Sequence, residues 1–438
     1  MRYCVGIDLG STTTKAVVLD EEGGVLGRGI TNSRSNYEVA CDVALVEALT
    51  DARFGLLARE LERKGVDEQR RRRLLAEVER GFREQQYRAQ LDELEQALEA
   101  ALGESPERGR LAESVGRILG RMREETPELY AEGATRKSDF FRDLAGSRYM
   151  HFAEGEARRH ELSFDALAGT FDKAILVVEN SPQPGRFGSL ALAAARGLEG
   201  GDELTPAIRR AADVQLEEAA SVGTGYGRAT LPFPKERIRS EILCHGLGAH
   251  AMFPGTRTVL DIGGQDTKAI QVDAEGIVTS FQMNDRCAAG CGRYLGYIAD
   301  EMNLGLHQLG PLACEAKRTV RINSTCTVFA GAELRERLSL GERREDILSG
   351  LHRSIILRAM SLLARSGGVE DEFTFTGGVA NNPAAVQALQ SLVAENYGER
   401  TLNISPNSIY TGALGAALFA HREWRQAGAR EATREVPA

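Results

Sequence analysis

Two segments far apart in the chain share one pattern, in which an apolar strand ends at an aspartate and a glycine-containing turn follows. The first is GIDLGSTTTK at residues 6–15, where the strand brings Asp8 to its end. The second is LDIGGQDTK at residues 260–268, where Asp261 has the same place. Glycine permits the tight turns and close backbone approach that such loops need. The repeated pattern predicts two similar half-domains that face one shared ligand.

Both loops have the composition of a phosphate site. A tight turn exposes backbone N–H groups and hydroxyls, and these groups bind phosphate oxygens. In the first loop the predicted contacts are Gly10, Ser11, Thr12 and Thr13, with Lys15 as a nearby positive charge. In the second loop they are the backbone of Gly263 and Gly264, with Gln265 and Asp266 following. The first loop is not a P-loop, because it lacks the GxxxxGK(S/T) spacing and no helical pattern follows it.

A third paired glycine occurs in FTFTGGVANNP at residues 373–383. Here a strand again ends in glycines, and a helix begins soon afterwards. Gly377, Gly378 and Asn381 are therefore predicted to form a platform under the adenine and ribose of a nucleotide. A lone Gly-Gly pair is more often an ordinary turn, but three such loops in this order favour a nucleotide site.

Composition narrows the class of protein. The chain has 438 residues, 42% of them apolar, which is enough for two or three domains. Its 54 basic and 63 acidic residues give a net charge of -9, so there is no basic excess for nucleic acid. No signal-peptide pattern and no long apolar run are evident, which predicts a cytoplasmic protein that does not bind membranes. Seven cysteines are too few for a disulfide scaffold of this size.

The pattern of apolar residues predicts an α/β protein with a helical interruption. The first 33 residues read as three antiparallel strands, with the polar turn DEEGG at 20–24 between the last two. From about 39 to 163, dense charge and heptad-like leucines predict a long helical insert. From about 171 the alternation of strands and helices resumes. It includes a predicted strand AILVVE at 174–179 and a last helix near 413–424.

The three loops, in this order, resemble the superfamily of acetate and sugar kinases, Hsp70 and actin, whose fold is ribonuclease H-like. Two intervening segments, NDRCAAGCGRYL at 284–295 and NSTCTVFAGAEL at 323–334, narrow the resemblance. They are similar to the BadF/BadG/BcrA/BcrD family, the ATPases that activate 2-hydroxyacyl-CoA dehydratases and drive benzoyl-CoA reductase. The resemblance covers about 1–40 and 215–420. The insert is absent from the short activators and looks like the larger ATPase subunit of an ATP-dependent benzoyl-CoA reductase.

This resemblance implies a domain organisation. ATPase subdomain I is expected in two parts, at 1–39 and 166–257. The α-helical insertion is expected at 40–165. Subdomain II with cluster-binding helices is expected at 258–420, and a C-terminal tail at 421–438.

The resemblance also implies ATP and Mg²⁺ as ligands. Asp8 is expected to hold hydrated Mg²⁺, while the glycine loops hold phosphate oxygens. Gln265, with Asp261 or Asp266, is expected to position the attacking water. Hydrolysis would then act as a conformational signal that lowers the potential of a bound cluster.

Cys287 and Cys326 are the expected cluster ligands. They are 39 residues apart, so they form no local chelate and must be brought together by folding. The segments 288–301 and 327–337 read as helices, with Asn323, Ser324 and Thr325 as capping residues. A helix N-terminus stabilises an anion by roughly 0.3–1 kcal/mol. A [4Fe-4S] cluster ordinarily takes four thiolates, so the resemblance implies one cluster shared with a second subunit.

The other cysteines and histidines receive structural interpretations. Cys291, four residues after Cys287, is expected to be a packed thiol near the cluster rather than an extra ligand. The sequence CHGLGAH at 244–250 suggests zinc, but no second close pair supports it. The cysteines without flanking ligands at metal spacing are Cys4, Cys41, Cys244 and Cys314.

The resemblance implies several partners. A related, shorter ATPase subunit would complete the cluster in a heterodimer. Reduced ferredoxin would donate electrons, and two catalytic iron–sulfur subunits would reduce benzoyl-CoA to a cyclohexadienoyl-CoA. The nearer alternative is an activator of a 2-hydroxyacyl-CoA dehydratase. The farther one is a metabolite kinase or an actin-like or Hsp70-like ATPase, in which both cysteines only pack in the core.

Overall fold

The computed structural model describes residues 1–33, 36–103, 107–134, 136, 138–181, 184–198, 200–225, 231–284, 292–322 and 327–434. Contacts divide the chain into two units. One unit combines Met1–Ala48 with Leu216–Ala438, and the other is Leu49–Gln215.

The first sheet begins with the three strands that the sequence predicts. They are β1 (Arg2–Leu9), β2 (Thr13–Leu19) and β3 (Val25–Asn32), and each pairs antiparallel with the next. A fourth strand, β4 (Glu217–Gly225), pairs parallel with β1 and completes the order β3-β2-β1-β4. The antiparallel opening is therefore confirmed.

The second sheet repeats this arrangement. Its strands are β5 (Thr258–Ile262), β6 (Thr267–Val272), β7 (Val278–Met283), β8 (Phe373–Thr376) and β9 (Leu402–Asn403). β5, β6 and β7 are antiparallel, and β8 is parallel to β5, in the order β7-β6-β5-β8-β9. The duplicated α/β fold predicted from the two loops is confirmed.

Helices of the same unit support each sheet. α8 (Glu241–Met252) and α14 (Thr411–Arg434) pack against each other, and α14 also packs on β1, β2 and β4. The second sheet shares one apolar core with the remaining helices. These are α9 (Gly292–Glu301), α10 (Leu306–Cys314), α11 (Thr327–Ser339), α12 (Arg344–Ser366) and α13 (Pro383–Tyr397).

Glycines bring α8 and α14 unusually close. A Cβ on Gly415 of α14 would lie 2.8 Å from the backbone Cα of Cys244, closer than real Cβ contacts allow. A Cβ on Gly248 of α8 would lie 3.0 Å from the carbonyl carbon of Thr411. Such small residues let two helix backbones approach at their crossing, and this contact sets where the side chains of α8 point in relation to the start of α14.

The second unit is helical, as predicted. Its helices are α1 (Tyr37–Arg63), which begins in the first unit, α2 (Glu68–Ala101), α3 (Arg108–Leu129), α4 (Phe141–His160), α5 (Phe164–Glu179), α6 (Phe187–Ala195) and α7 (Gly201–Asp213). Leucines at helical spacing on α2 form its core, with Leu91, Leu94 and Leu98 fully buried. The unit extends to Gln215, beyond the predicted boundary at 165, because α5 and α6 both pack on α2.

The strand predicted at 174–179 is wrong, because the segment AILVVE ends α5. Ser163 caps this helix by accepting a hydrogen bond from the backbone N–H of Ala166 at 3.2 Å. Phe171, Ala174 and Val178 are buried on one helical face. A short apolar run does not by itself distinguish a strand from a buried helix. Here the cap at Ser163 shows that the run belongs to a helix.

Among the described residues, helix α12 is long and apolar enough to cross a membrane by length and composition. However, 67% of its most apolar window is buried inside the protein. Its residues Leu348, Leu351 and Leu363 belong to the core of the second half-domain. Core helices of globular proteins commonly meet the same criterion.

His352 of α12 is expected to make the folded state sensitive to acid. Its Nδ1 lies 2.7 Å from the carbonyl oxygen of Leu348, and its Nε2 lies 3.0 Å from the side-chain nitrogen of Asn382. Asn382 uses its oxygen to cap α13, so its NH2 group faces the histidine and Nε2 must accept. Burial lowers the pKa of His352 to about 4, and the bond to Leu348 raises it only in part.

Because the folded pKa of His352 is below its unfolded value, the stabilisation is present above about pH 6.5 and is lost as the pH falls toward 4. We expect a loss on the order of 3 kcal/mol in the free energy of unfolding over this range. Denaturant titrations at several pH values measure it. The variant His352→Leu should lose most of this pH dependence, and the exposed-site variant His307→Gln should keep it. Equal pH dependence in all three proteins would contradict the assignment.

Candidate nucleotide site

Asp8 is buried at the end of β1, where the first glycine loop begins. Lys15 lies directly opposite on β2, with its Nζ 3.9 Å from Asp8 Oδ2. Ser33 fixes the loop between them: its Oγ donates to the carbonyl oxygen of Gly10 at 2.5 Å, and its backbone N–H donates to that of Thr12 at 2.9 Å. The loop is therefore held in shape by backbone and hydroxyl bonds.

Asp261 is the equivalent residue at the end of β5, and its carboxylate has three partners. Thr376 Oγ1 donates to Oδ1 at 2.9 Å, and Lys268 Nζ lies 3.4 Å from Oδ2. His245 Nδ1 lies 3.3 Å from Oδ1, which is an ion-pair distance rather than a well-formed hydrogen bond. Burial raises the pKa of Asp261, but the charges of His245 and Lys268 outweigh burial and hold this pKa well below its ordinary value. The carboxylate therefore stays ionised.

Lys268 is a buried cation surrounded by acidic groups. Its Nζ lies 2.9 Å from Asp266 Oδ1 and 3.9 Å from Glu241 Oε1, in addition to Asp261. Burial lowers the pKa of Lys268, but the three carboxylates raise it above the ordinary value overall. For Glu241, burial dominates and raises the pKa despite Lys268.

Sequence reasoning missed Lys268, His245 and Glu241. A signal for Lys268 was present, because it stands seven residues after Asp261 as Lys15 stands seven after Asp8. The strand registers match as well, with Asp8 paired to Lys15 and Asp261 paired to Lys268. The sequence presents His245 only as a zinc candidate. Burial lowers its pKa, but the adjacent Asp261 raises it above the ordinary value overall.

The structure brings the two glycine loops together. A Cβ on Gly264 would lie 3.1 Å from Thr12 Cβ and 3.7 Å from Ser11 Oγ. Little space remains for a side chain between the loops. The first and second loops therefore face each other at close range, as two halves of one phosphate cradle would.

The third loop adjoins the second. Gly377 has a φ of +86°, and a Cβ there would lie 2.7 Å from the carbonyl carbon of Ile262, so only glycine fits without strain. Gly378–Asn381 follow as a short 3-10 turn, with Asn381 exposed. Asn382, not Asn381, caps α13. Gln265 is half-buried at the tip of the second loop.

Backbone hydrogen bonds join the second loop to the start of α9. The N–H of Gly292 donates to the carbonyl oxygen of Gly263 at 2.8 Å, and the N–H of Arg293 donates to that of Gly264 at 2.9 Å. On the other side, Asn284 Oδ1 accepts from the N–H of Thr267 at 2.8 Å. Asn284 and Gly292, the described residues on either side of 285–291, are thus both bound to the second loop.

α11 packs on α9. Arg335 Nη1 donates to Glu301 Oε2 at 2.5 Å, and a Cβ on Gly331 would lie 3.1 Å from the Tyr297 hydroxyl. The two helices predicted after the cysteines are present, although both the predicted start at 288 and the capping residues 323–325 lie outside the described residues. Cys287, Cys291 and Cys326 also lie outside them.

The cysteines that the structure describes are Cys4, Cys41, Cys244 and Cys314, and the first three are buried. Burial raises the pKa of Cys4 to about 11 and that of Cys41 and of Cys244 to about 12. Cys314, at the end of α10, is exposed. Within the part of the chain that the structure describes, His, Cys, Asp and Glu form no group of three that could hold a metal ion.

Comparisons with known proteins agree with this architecture. The model of the BadF/BadG/BcrA/BcrD ATPase family matches residues 5–420. The chain is 40% identical over 233 residues to the (R)-2-hydroxyglutaryl-CoA dehydratase activating ATPase of Acidaminococcus fermentans, covering 53% of this chain and 87% of the relative. It is 31% identical over 190 residues to a subunit of the benzoyl-CoA reductase of Thauera aromatica, covering 43% of this chain and 67% of that subunit.

A solved structure has the same fold. The activator of the 2-hydroxyisocaproyl-CoA dehydratase from Clostridium difficile with bound ADPNP superposes with a TM-score of 0.52. The match has 23% identity and covers 100% of this chain and 98% of the other.

Proposed function

Because the chain belongs to the BadF/BadG/BcrA/BcrD ATPase family, we propose that it is an activator that hydrolyses ATP to drive electrons into a 2-hydroxyacyl-CoA dehydratase. The relative at 40% identity is an activating ATPase of such a dehydratase, whereas the reductase subunit is at 31%. These identities favour the dehydratase partner over the benzoyl-CoA reductase partner expected from the insert.

The phosphates of ATP would lie beside the point where the two loops approach each other most closely. The backbone of Gly264 and the hydroxyls of Ser11 and Thr12 line their closest approach, so these groups are assigned to phosphate oxygens. Further phosphate contacts are assigned to Gly10, Thr13, Lys15 and Gly263. Gly377, Gly378 and Asn381 are assigned to the nucleoside.

Asp8 fits a magnesium role. It is a buried carboxylate whose ion pair with Lys15 is long, at 3.9 Å, and Mg²⁺ prefers oxygen ligands and keeps several waters. When bound, the ion would neutralise charge on the phosphates. The side chain of Asp8 would orient its water shell.

Three residues, Asp261, Gln265 and Asp266, are candidates for positioning the attacking water. Asp261 is occupied by Thr376, Lys268 and His245, and its low pKa makes it a weak base. We therefore assign Asp261 to orienting the site rather than to accepting a proton. Gln265, with Asp266 beside it, is assigned to the attacking water.

The hydrogen bonds between the second loop and α9 are the observation that carries the proposal. Phosphate contacts at Gly263 and Gly264 would change the position of the same backbone that holds Gly292 and Arg293. The packing of α9 on α11 would pass this change to the helix that begins one residue after Cys326. ATP binding and hydrolysis would thereby alter the surroundings of both cysteine segments.

Cys287 and Cys326 are assigned to a [4Fe-4S] cluster that a second subunit completes. A bound cluster would supply one-electron transfer, with ferredoxin as the expected donor in the cytoplasm. The second subunit is a second copy of this chain or a related, shorter ATPase chain.

Iron retention tests the proposal directly. The full-length protein, reconstituted anaerobically with iron and sulfide, is expected to hold about four irons per two subunits. Cys326→Ser should lose this iron and the ATP-dependent activation of the dehydratase, yet still hydrolyse ATP. The exposed-site variant Cys314→Ser should keep both. An iron-free wild-type protein that still activates its partner fully would contradict the assignment.

A benzoyl-CoA reductase partner is the second candidate. The similarity to the Thauera aromatica reductase subunit and the large helical unit favour it. Such a partner would comprise two catalytic iron–sulfur subunits. Parallel anaerobic assays with a 2-hydroxyacyl-CoA or benzoyl-CoA, ATP and a low-potential donor separate the two: dehydration supports the first partner, and ring reduction supports the second.

A further inference from the structure

His245 lies between the aspartates of the two loops. It is a buried residue of α8, 7% exposed, and its Nδ1 faces Asp261 Oδ1 at 3.3 Å. Its other ring nitrogen points the opposite way, toward the start of α14. One imidazole ring thus has two nitrogens available for two different neighbours.

Gly412, at the start of α14, locates the second neighbour. A Cβ on Gly412 would lie 2.8 Å from His245 Nε2 and 2.9 Å from Asp8 Oδ2. His245 Nε2 and Asp8 Oδ2 therefore border the same small space. Because residue 412 is glycine, this space stays open, and His245 reaches from Asp261 of the second loop toward Asp8 of the first.

Charged side chains next to both aspartates surround the His245 ring. Lys268 and Glu241 contact each other beside Asp261, and Lys15 pairs with Asp8. A leucine at position 245 would fill a similar volume but could not pair with either aspartate. The ring instead has Nδ1 at ion-pair distance from Asp261, while Nε2 faces Asp8 across the small space that Gly412 leaves open.

We propose that His245 is a positioning residue for ATP hydrolysis, which holds Asp8 and Asp261 in register so that the two loops act on one bound nucleotide. The inference rests on the proposed ATPase function. It adds a residue that touches neither phosphate nor water and acts through the two aspartates. Groups that orient a carboxylate in this way typically contribute about 10–100-fold to activity.

Three substitutions separate the two sides of the His245 ring, one facing Asp261 and one facing Asp8. In His245→Asn the amide nitrogen can replace Nδ1 and keep the Asp261 side. In His245→Gln it can replace Nε2 and keep the Asp8 side. His245→Leu removes both. We expect kcat for ATP hydrolysis to fall about 10-fold in the first two variants and about 100-fold in the third, with KM for ATP changed less than about threefold.

Gly412→Ala fills the space between His245 and Asp8 without changing His245. The added methyl group must displace His245 or Asp8, so kcat should fall about 10-fold, although alanine favours the helix. Gly428→Ala on the same helix is the matched control, because a Cβ there meets nothing within 4 Å. Its kcat should equal that of the wild type.

The outcomes distinguish the inference from the function on which it rests. A folded wild-type protein without ATPase activity would refute the proposed function. An active wild type, together with folded His245→Asn, His245→Gln and Gly412→Ala variants of unchanged kcat, would refute the role of His245. Lower thermal stability with unchanged kcat per folded molecule would assign His245 to packing only.

Discussion

Replacing Lys268 with methionine is expected to destabilise the ATPase unit by about 3–5 kcal/mol. Lys268 is 3% exposed and is the cation shared by Asp261, Asp266 and Glu241. Methionine has a similar length but no charge. Without the ammonium group, these carboxylates would repel one another in a site where water screens them poorly. Denaturant-induced unfolding of the full chain measures the loss.

Lys15→Met is the matched control, because Lys15 has the same place in the first loop. Its ion pair with Asp8 is long, at 3.9 Å, and its side chain is more exposed, at 13% against 4% for Lys268. We expect a clearly smaller loss of stability but weaker binding of ATP. If both variants lost the same stability, the two lysines would be equivalent, and the carboxylates of Asp261, Asp266 and Glu241 would not depend on Lys268 in particular.

Asp8→Asn is expected to lower kcat for magnesium-dependent ATP hydrolysis by roughly 10²–10³-fold, the scale found when one preorganised electrostatic group is removed. Asparagine keeps the size of the side chain but removes the negative charge that we assign to the water shell of Mg²⁺. The fold should change little, because the ion pair that is lost, to Lys15, spans 3.9 Å. Steady-state hydrolysis over a range of Mg²⁺ concentrations is the measurement.

Asp20→Asn gives the corresponding structural control. Asp20 is also a buried carboxylate of the first sheet, 8% exposed, and its Oδ1 accepts from the N–H of Gly24 at 2.7 Å. Asparagine keeps the acceptor but loses the charge that strengthens this bond, so stability should fall modestly, while kcat per folded molecule is retained. Equal loss of activity in both variants would mean that Asp8 acts only through folding.

The duplicated fold could be predicted because its signal is local. Each half begins with an apolar strand, an aspartate and a glycine turn, so a short window around Asp8 or Asp261 contains the pattern. The helical unit was predictable for a similar reason, since its leucines recur at helical spacing. Both features depend on neighbours within a few residues.

The polar network behind the loops could not be predicted in this way. His245 contacts Asp261 of β5 from α8, and its second nitrogen faces a space that exists only because residue 412 is glycine. Lys268 lies opposite Asp261 only because β5 and β6 pair, and it reaches Glu241 only because α8 packs beside them. Apart from the seven-residue spacing that Lys268 shares with Lys15, these contacts arise when distant elements pack, and no spacing along the chain encodes them. The cluster ligands Cys287 and Cys326 stay a prediction.

The connection of the helical unit to the first sheet has a mechanical consequence. The chain leaves this sheet from β3 into α1 and returns from α7 into β4. In the order β3-β2-β1-β4 these are the two outermost strands, and β1 with Asp8 lies between them. Force on the helical unit from a bound protein would therefore act on both edge strands of the sheet at once. Through these two covalent connections, the helical unit is joined to both edges of the sheet that carries Asp8.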